Sequence, residues 1–291
     1  MTRLDANFAS DLLVIARQHL KEEWGSEAER IADDRILDSF FDSLRRRPAA
    51  RPRRIWVADD FHCPQALDPG WKVLQEKVVN GDDLGPHLSF RHSCLTNLDG
   101  LLNEWGVHHL HLGTGPSFKD RSYIGRTAPL LFALITEDDF YAINVYPHGA
   151  WESTGILESL HRNWPQVINR YRIKGIQGEP LREEQRKRLR SANVQTATAV
   201  SDGTVYMAIG GGVAGSGTSV EAVFRAARML ADVRRLQLTL QEQLPKFVSH
   251  LRSRGYRDAQ DIKAKLVGIT PQGYQVLFPD YSVLASVKLG N

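Results

Sequence analysis

From Ala128 to Ile135 the chain runs Ala-Pro-Leu-Leu-Phe-Ala-Leu-Ile, then turns through Glu137-Asp138-Asp139 into Phe140-Tyr141-Ala142-Ile143-Asn144-Val145-Tyr146. A short apolar run bounded by turn residues and rejoined by a second strand-like run predicts an antiparallel hairpin. Two strands alone are marginal in water, so this pair needs further strands and a covering layer. The chain offers both. The histidine strand at 107–112 neighbours the pair, Ile55-Trp56-Val57-Ala58 looks like another short strand, and helical spacing flanks the hairpin on either side.

That spacing recurs along the chain. Residues 7–24 carry apolar Phe8, Leu12, Leu13, Ile15, Ala16 and Leu20 at helical spacing, and 26–44 continue with Ile31, Ile36, Leu37, Phe40, Phe41 and Leu44. Further helices are predicted near 70–79, over Leu98 to Trp105, from Ser153 to Tyr171, over 181–192 and from Val220 onward. A second hairpin joins Thr196–Val200 to Thr204–Ile209, and strand-like runs cover 263–269 and 274–287. Together these predict an α+β fold, with a central mainly antiparallel sheet flanked by helices. The segment Arg45-Arg46-Arg47-Pro48-Ala49-Ala50-Arg51-Pro52-Arg53-Arg54 has the composition of a linker. It divides an N-terminal helical subdomain with a basic linker (1–54) from an α+β catalytic domain (55–291).

Composition narrows the classes. The chain has 291 residues, 42% hydrophobic and 24% charged, which is ordinary for a globular protein. A membrane span needs about 20 apolar residues in a row, and none occurs, so no membrane partner is expected. The first residues lack the apolar core of a secretory signal, and Cys63 and Cys94 are the only two thiols. A cytoplasmic location follows as the expectation. Net charge is +3, but it is concentrated in Arg45–Arg54 and in a second block from Arg182 to Arg190. Such blocks suit polyanions, because Arg neutralises phosphate and matches its geometry. The long helix from Val220, with Arg225, Arg228, Arg234 and Arg235, would serve the core and also a partner or homo-oligomer surface.

The chemistry concentrates in Val107-His108-His109-Leu110-His111-Leu112-Gly113, which packs three of the ten histidines into four positions. In a strand, side chains alternate between faces, so His109 and His111 project together while His108 joins Leu110 and Leu112. Two imidazoles so placed suit proton transfer between groups near their own pKa. They also form half of a metal site, which His148 would complete with a divalent metal as cofactor. No acidic residue adjoins the tract to support that alternative. Acid–base chemistry without a cofactor is therefore the leading expectation.

Residues 107–151 resemble the core sheet of RelE-like mRNA interferases in strand order and residue type. Arg126, the apolar strand, the acidic turn, the second strand and His148 follow in sequence. The resemblance implies a toxin or phage-defence endoribonuclease that acts on RNA and is restrained by an antitoxin or other inhibitor protein. Metal-free RNA cleavage needs a base for the 2′-OH, an acid for the 5′-oxygen and cations for the phosphorane. His109 and His111 would supply base and acid, Arg121 and Arg126 the charge, and His148 would complete the relay. Lys119, Tyr123, Tyr146, Trp151 and Arg162 would hold the nucleic acid by charge and stacking. A metal-dependent nuclease or phosphoesterase and a non-catalytic nucleic-acid-binding or regulatory module stand as alternatives. The tract Gly210–Ser219 lacks the Gly-Lys-Ser/Thr ending of a phosphate-binding loop and has the composition of a mobile loop or tight turn.

Overall fold

The computed structural model describes residues 3–90, 94–95, 97–257 and 261–289. In chain order the first elements are β1 (Leu4–Asp5), α1 (Phe8–Trp24), α2 (Ile36–Arg46), β2 (Arg54–Val57), α3 (Asp68–Asn80) and α4 (Gly100–Trp105). Then come β3 (Val107–Leu110), β4 (Pro129–Ile135), β5 (Asp139–Pro147), α5 (Gly155–Asn163), α6 (Pro165–Ile168), β6 (Arg172–Gln177) and α7 (Glu183–Ser191). The last are β7 (Thr198–Ala199), β8 (Thr204–Tyr206), α8 (Val220–Arg252), β9 (Ile262–Lys263), β10 (Lys265–Thr270), β11 (Gly273–Phe278) and β12 (Val283–Val287). The class is α+β. No helix among the described residues is long and apolar enough to cross a membrane.

The chain forms two compact units, residues 1–41 with 223–291, and residues 42–222. In the first, the Asn7 side chain caps α1 by accepting from the Ser10 amide at 3.1 Å. Phe8, Leu12, Ala16, Leu20 and Trp24 then recur every four residues as its buried stripe. Gln241 and Gln237 of α8 accept from the backbone amides of Leu4 and Phe8 at 2.7 and 3.1 Å. β1 pairs in parallel with β9, and Asp11 accepts from the amide of Leu266 at the start of the β10-β11-β12 sheet. These bonds join the N-terminal helix to the chain's last strands, so the units divide within α2 rather than at the expected 54/55 boundary. The helix expected over 26–44 is shortened to α2 and preceded by 3-10 turns. There the Arg17 guanidinium takes the carbonyls of Ala28 and Ile31, both at 2.9 Å.

The second unit is built on a four-stranded sheet, β2-β5-β4-β3. β2 runs parallel to β5, while β5 with β4 and β4 with β3 are antiparallel. One face buries Val107, Leu130, Phe132, Leu134 and Ile143 against Leu101 and Trp105 of α4 and Ile156, Leu157 and Leu160 of α5. The opposite face buries Leu110, Leu131, Ala133, Phe140 and Ala142 against Trp71, Leu74 and Val78 of α3. Coverage on both faces explains why β4 is an unbroken apolar run instead of an alternating one. The helix expected over 153–171 breaks into α5 and α6 at Trp164-Pro165, where proline removes an N–H and drives Trp164 to φ −137° and ψ 52°. A second sheet, β6-β8-β7, belongs to the same unit.

Candidate functional site

The route into β3 is fixed by α4. The Asp99 side chain accepts from the Leu102 amide at 2.9 Å to start that helix, and Gly106 ends it in the left-handed region at φ 70°. The chain then enters β3 with His108 opposite Ala133 and His109 opposite Phe132. His108 is buried with Leu110 on the α3 side, and His109 lies on the α4–α5 side. His111, just beyond the strand, falls on the same side as His109, and both line one cavity. The alternation expected of the tract is thereby realised.

That cavity encloses about 350 Å³. Its chemistry-bearing walls are His109, His111, His148, Trp151, Glu152 and Arg190. His148 comes from the turn that closes β5, and Trp151 from the 3-10 turn Ala150–Glu152. The Trp151 ring packs against both imidazoles, with centroids 4.6 Å from His109 and 5.2 Å from His148. Two segments remote in sequence, β3 and the turns that follow β5, thus meet at one indole.

His111 is held in a single tautomer. The Thr127 amide donates to its Nδ1 at 3.0 Å, so the proton of the neutral ring sits on Nε2. Burial, with the neighbouring Arg126 charge and the other histidines, pushes its pKa down to about 3. Its backbone is clamped by His87, whose carbonyl accepts from the His111 amide at 2.8 Å. In return, His87 Nδ1 donates to the His111 carbonyl at 2.9 Å. The sequence reading missed His87; its single clue was an isolated His following Gly85-Pro86.

Arg190 and Glu104 are the other members the sequence reading missed. Glu104 is buried in α4 and faces two guanidiniums of α7, at 2.9 Å from Arg186 Nη1 and 2.8 Å from Arg190 Nε. Both guanidiniums also lie over the Trp105 ring, at 4.9 and 5.3 Å. Arg190 Nη1 donates to the Trp151 carbonyl at 2.7 Å, so α7 holds the indole in place.

Arg186 and Arg190 of the second basic block therefore turn inward, and Arg45 and Arg46 of the first do the same. Arg45 donates to Asn103 Oδ1 at 2.9 Å and to the Gly210 carbonyl at 2.7 Å. Arg46, 1% exposed, donates to the carbonyls of Cys94, Leu95 and Asn97 at 2.9 to 3.0 Å and pairs with Asp42. Arg51 pairs with Glu137 and Asp138, and Arg54 with Asp139. The segment expected to be a free linker is instead stitched to the turn between β4 and β5.

The remaining expected residues fall into separate groups. Arg126 donates to the Leu88 carbonyl at 2.8 Å and lies 4.5 Å from the Phe90 ring and 5.8 Å from that of Tyr123. Burial lowers its pKa to about 10. The Lys119 ammonium lies 5.4 Å from the same Phe90 ring, and Arg121 is exposed in the loop between them. Tyr146 packs edge-on against Phe132, and burial raises its hydroxyl pKa. Arg162 is bound to Asp59 and Asp60, at 2.7 and 2.8 Å, tying α5 to the loop after β2. Its bonds to Asp59 hold that carboxyl near pKa 2.

The glycine-rich tract is a braced turn. Gly210 and Gly212 donate to the carbonyls of Glu104 and Asn103 at 3.1 and 2.8 Å, satisfying the open end of α4. Val213 bridges Ser219, and the Ser219 hydroxyl accepts from the Ala222 amide at the start of α8. Among the described residues no three His, Cys, Asp or Glu side chains gather as a metal site requires. Of the three cavity histidines, His109 and His148 pack on the Trp151 indole.

No protein-family model, curated protein or solved structure matches this chain. The functional reading therefore rests on the cavity itself.

Proposed function

We propose that residues 42–222 form a metal-independent endoribonuclease that works in the His109–His111–His148 cavity. The packing of the His109 and His148 imidazoles on Trp151, in a cavity that His111 also lines, is the observation that carries the reading. In this reading the scissile phosphate enters beside the histidines and a flanking base stacks on the indole. One of His109 and His148 takes the 2′-OH proton, and the other protonates the departing 5′-oxygen. The 2′-oxygen attacks phosphorus, the P–O5′ bond breaks, and the products are a 2′,3′-cyclic phosphate and a 5′-hydroxyl. DNA lacks the nucleophile and is not cut.

The surroundings give His111 a different part from the base or acid expected from sequence. A ring with pKa about 3 stays neutral near pH 7, and its Nε2–H donates to the oxygen on which charge develops. The carboxylates in the wall are engaged: Asp99 caps α4, and Glu152 lies 3.6 Å from Arg190. Lys119 and Arg126 add positive potential from the adjoining loop. The likeness of residues 107–151 to RelE-like interferases agrees with this chemistry and adds an inhibitor protein as a partner.

The test is cleavage of a labelled oligoribonucleotide by the full chain in the presence of a chelator. Wild type is expected to cut with a cyclic-phosphate product, and His148→Ala and His109→Ala to lose at least a hundredfold in rate, as expected for a lost acid or base. Dependence on added divalent metal, cleavage of the 2′-deoxy analogue, or full activity of both variants would overturn the proposal.

A further inference from the structure

A second cavity of about 230 Å³ adjoins the first and shares Leu98, Gly100, Glu152 and Arg190 with it as a common wall. Its remaining lining is rich in carboxamides: Asn103 from α4, and Asn193 and Gln195 from the segment after α7. Val213 and Gly217 of the glycine-rich turn close it. Two of the three carboxamides are committed within the fold. Asn103 Oδ1 accepts from Arg45, and Gln195 Nε2 donates to the Thr196 carbonyl at 3.1 Å.

Asn193 differs. Its carboxamide has no hydrogen-bond partner among the described residues, although the residue is half-buried. Its backbone is held in the left-handed region at φ 53°, with its amide donating to the Arg190 carbonyl at 3.1 Å. Few side chains tolerate that conformation, and Asn is one that does. The placement sets its amide group against Gly217, where a Cβ would lie 3.3 Å from both the Oδ1 and Nδ2 atoms. Gly217 itself sits at φ 82°, and a Cβ there would meet Leu98 Cδ1 at 2.4 Å before it met the carboxamide.

We propose that this second cavity is a base-reading subsite for adenine, with Asn193 as the reading group. A carboxamide presents one donor beside one acceptor, the complement of the adenine N6–H and its neighbouring ring nitrogen. Guanine would instead favour a carboxylate facing its paired N–H groups, and both wall carboxylates, Glu104 and Glu152, already face Arg190. The shared wall places the subsite one step from the histidines, as a base flanking the scissile phosphate requires. The inference deepens the endoribonuclease reading and rests on it for the role of the subsite, but binding of the base can be measured separately.

Adenosine, guanosine, cytidine and uridine 5′-monophosphates are titrated against the full chain by calorimetry, using wild type and Asn193→Asp. Asn193→Asp keeps the shape and backbone tolerance but removes the donor. Adenosine monophosphate is expected to bind wild type, and Asn193→Asp roughly tenfold more weakly, as the loss of a paired base contact implies. Equal binding of all four nucleotides, preference for another base, or an unchanged Asn193→Asp would overturn the subsite. Oligoribonucleotide cleavage separates the two proposals. Cleavage with no preference for a flanking adenine would remove the subsite and leave the nuclease. Selective adenine binding through Asn193 without cleavage would do the reverse.

Discussion

The backbone amide of Thr127 donates to Nδ1 of His111 at 3.0 Å. Because an amide only donates, the bond fixes the imidazole as the Nε2–H tautomer and opposes its protonation. The pKa drops from the ordinary 6.5 to about 3, chiefly through burial. As pH falls below about 6.5 the unfolded chain binds a proton at this ring, and the folded chain does so only near 3. Within that window the unfolded state holds more protons, so acidification destabilises the fold by up to about 1.4 kcal/mol per pH unit. Buried His87, whose pKa is also lowered, acts with the same sign. Urea melts at pH 7, 5 and 4 should therefore show a shallower pH slope for His111→Gln than for wild type. Parallel slopes would contradict the tautomer argument.

The buried Glu104 carboxylate is the common counter-charge of Arg186 and Arg190, which are 2% and 15% exposed at their side chains. Glu104→Ala leaves two guanidiniums in a poorly solvated site without compensation. Breaking a buried pair in this way costs about 3–5 kcal/mol. The variant should lose that much stability in urea unfolding. It should also lose cleavage, because Arg190 no longer anchors the Trp151 carbonyl. Unchanged stability would mean that α7 is held by other contacts.

Arg162 makes the opposite case. Its partners Asp59 and Asp60 are exposed, as is Arg162 itself, and ion pairs in water contribute little. Arg162→Ala is expected to leave the melting temperature nearly unchanged. Because its charge is already neutralised at a distance from the cavity lining, RNA affinity should hold as well. A tenfold weakening of RNA binding would restore it as a phosphate contact.

The contrast between these arginines shows what was legible in the sequence. Strand alternation alone placed His109 and His111 on one side, and the apolar run of β4 with the strand after the acidic turn signalled a hairpin. Both follow from local periodicity, which the chain displays directly. The destinations of the arginines were not legible, because Arg46 and Arg190 reach carbonyls and carboxylates set by tertiary packing. A basic block and a buried ion-pair network have the same composition. Asn193 was equally hidden, since a left-handed asparagine is invisible until its backbone is traced.

The glycine-rich turn supplies a test of how the site is supported. A Cβ on Gly210 would lie 1.9 Å from the Leu102 carbonyl oxygen and 2.6 Å from both the Asn103 oxygen and the Gly106 nitrogen. These are backbone atoms of α4 and of the turn into β3, so they cannot yield as a side chain would. Gly210→Ala must push the turn away from the helix end that it caps, with loss of the bonds to Glu104 and Asn103. A cost of about 1–3 kcal/mol is expected from the forced backbone shift, together with reduced cleavage as β3 and its histidines move. Gly215, in the same tract, would place an added methyl in open space, with nothing within 4 Å and no left-handed backbone to strain. Gly215→Ala should match wild type in both thermal melting and cleavage. If the two alanine variants behave alike, the tract does not brace the histidine strand.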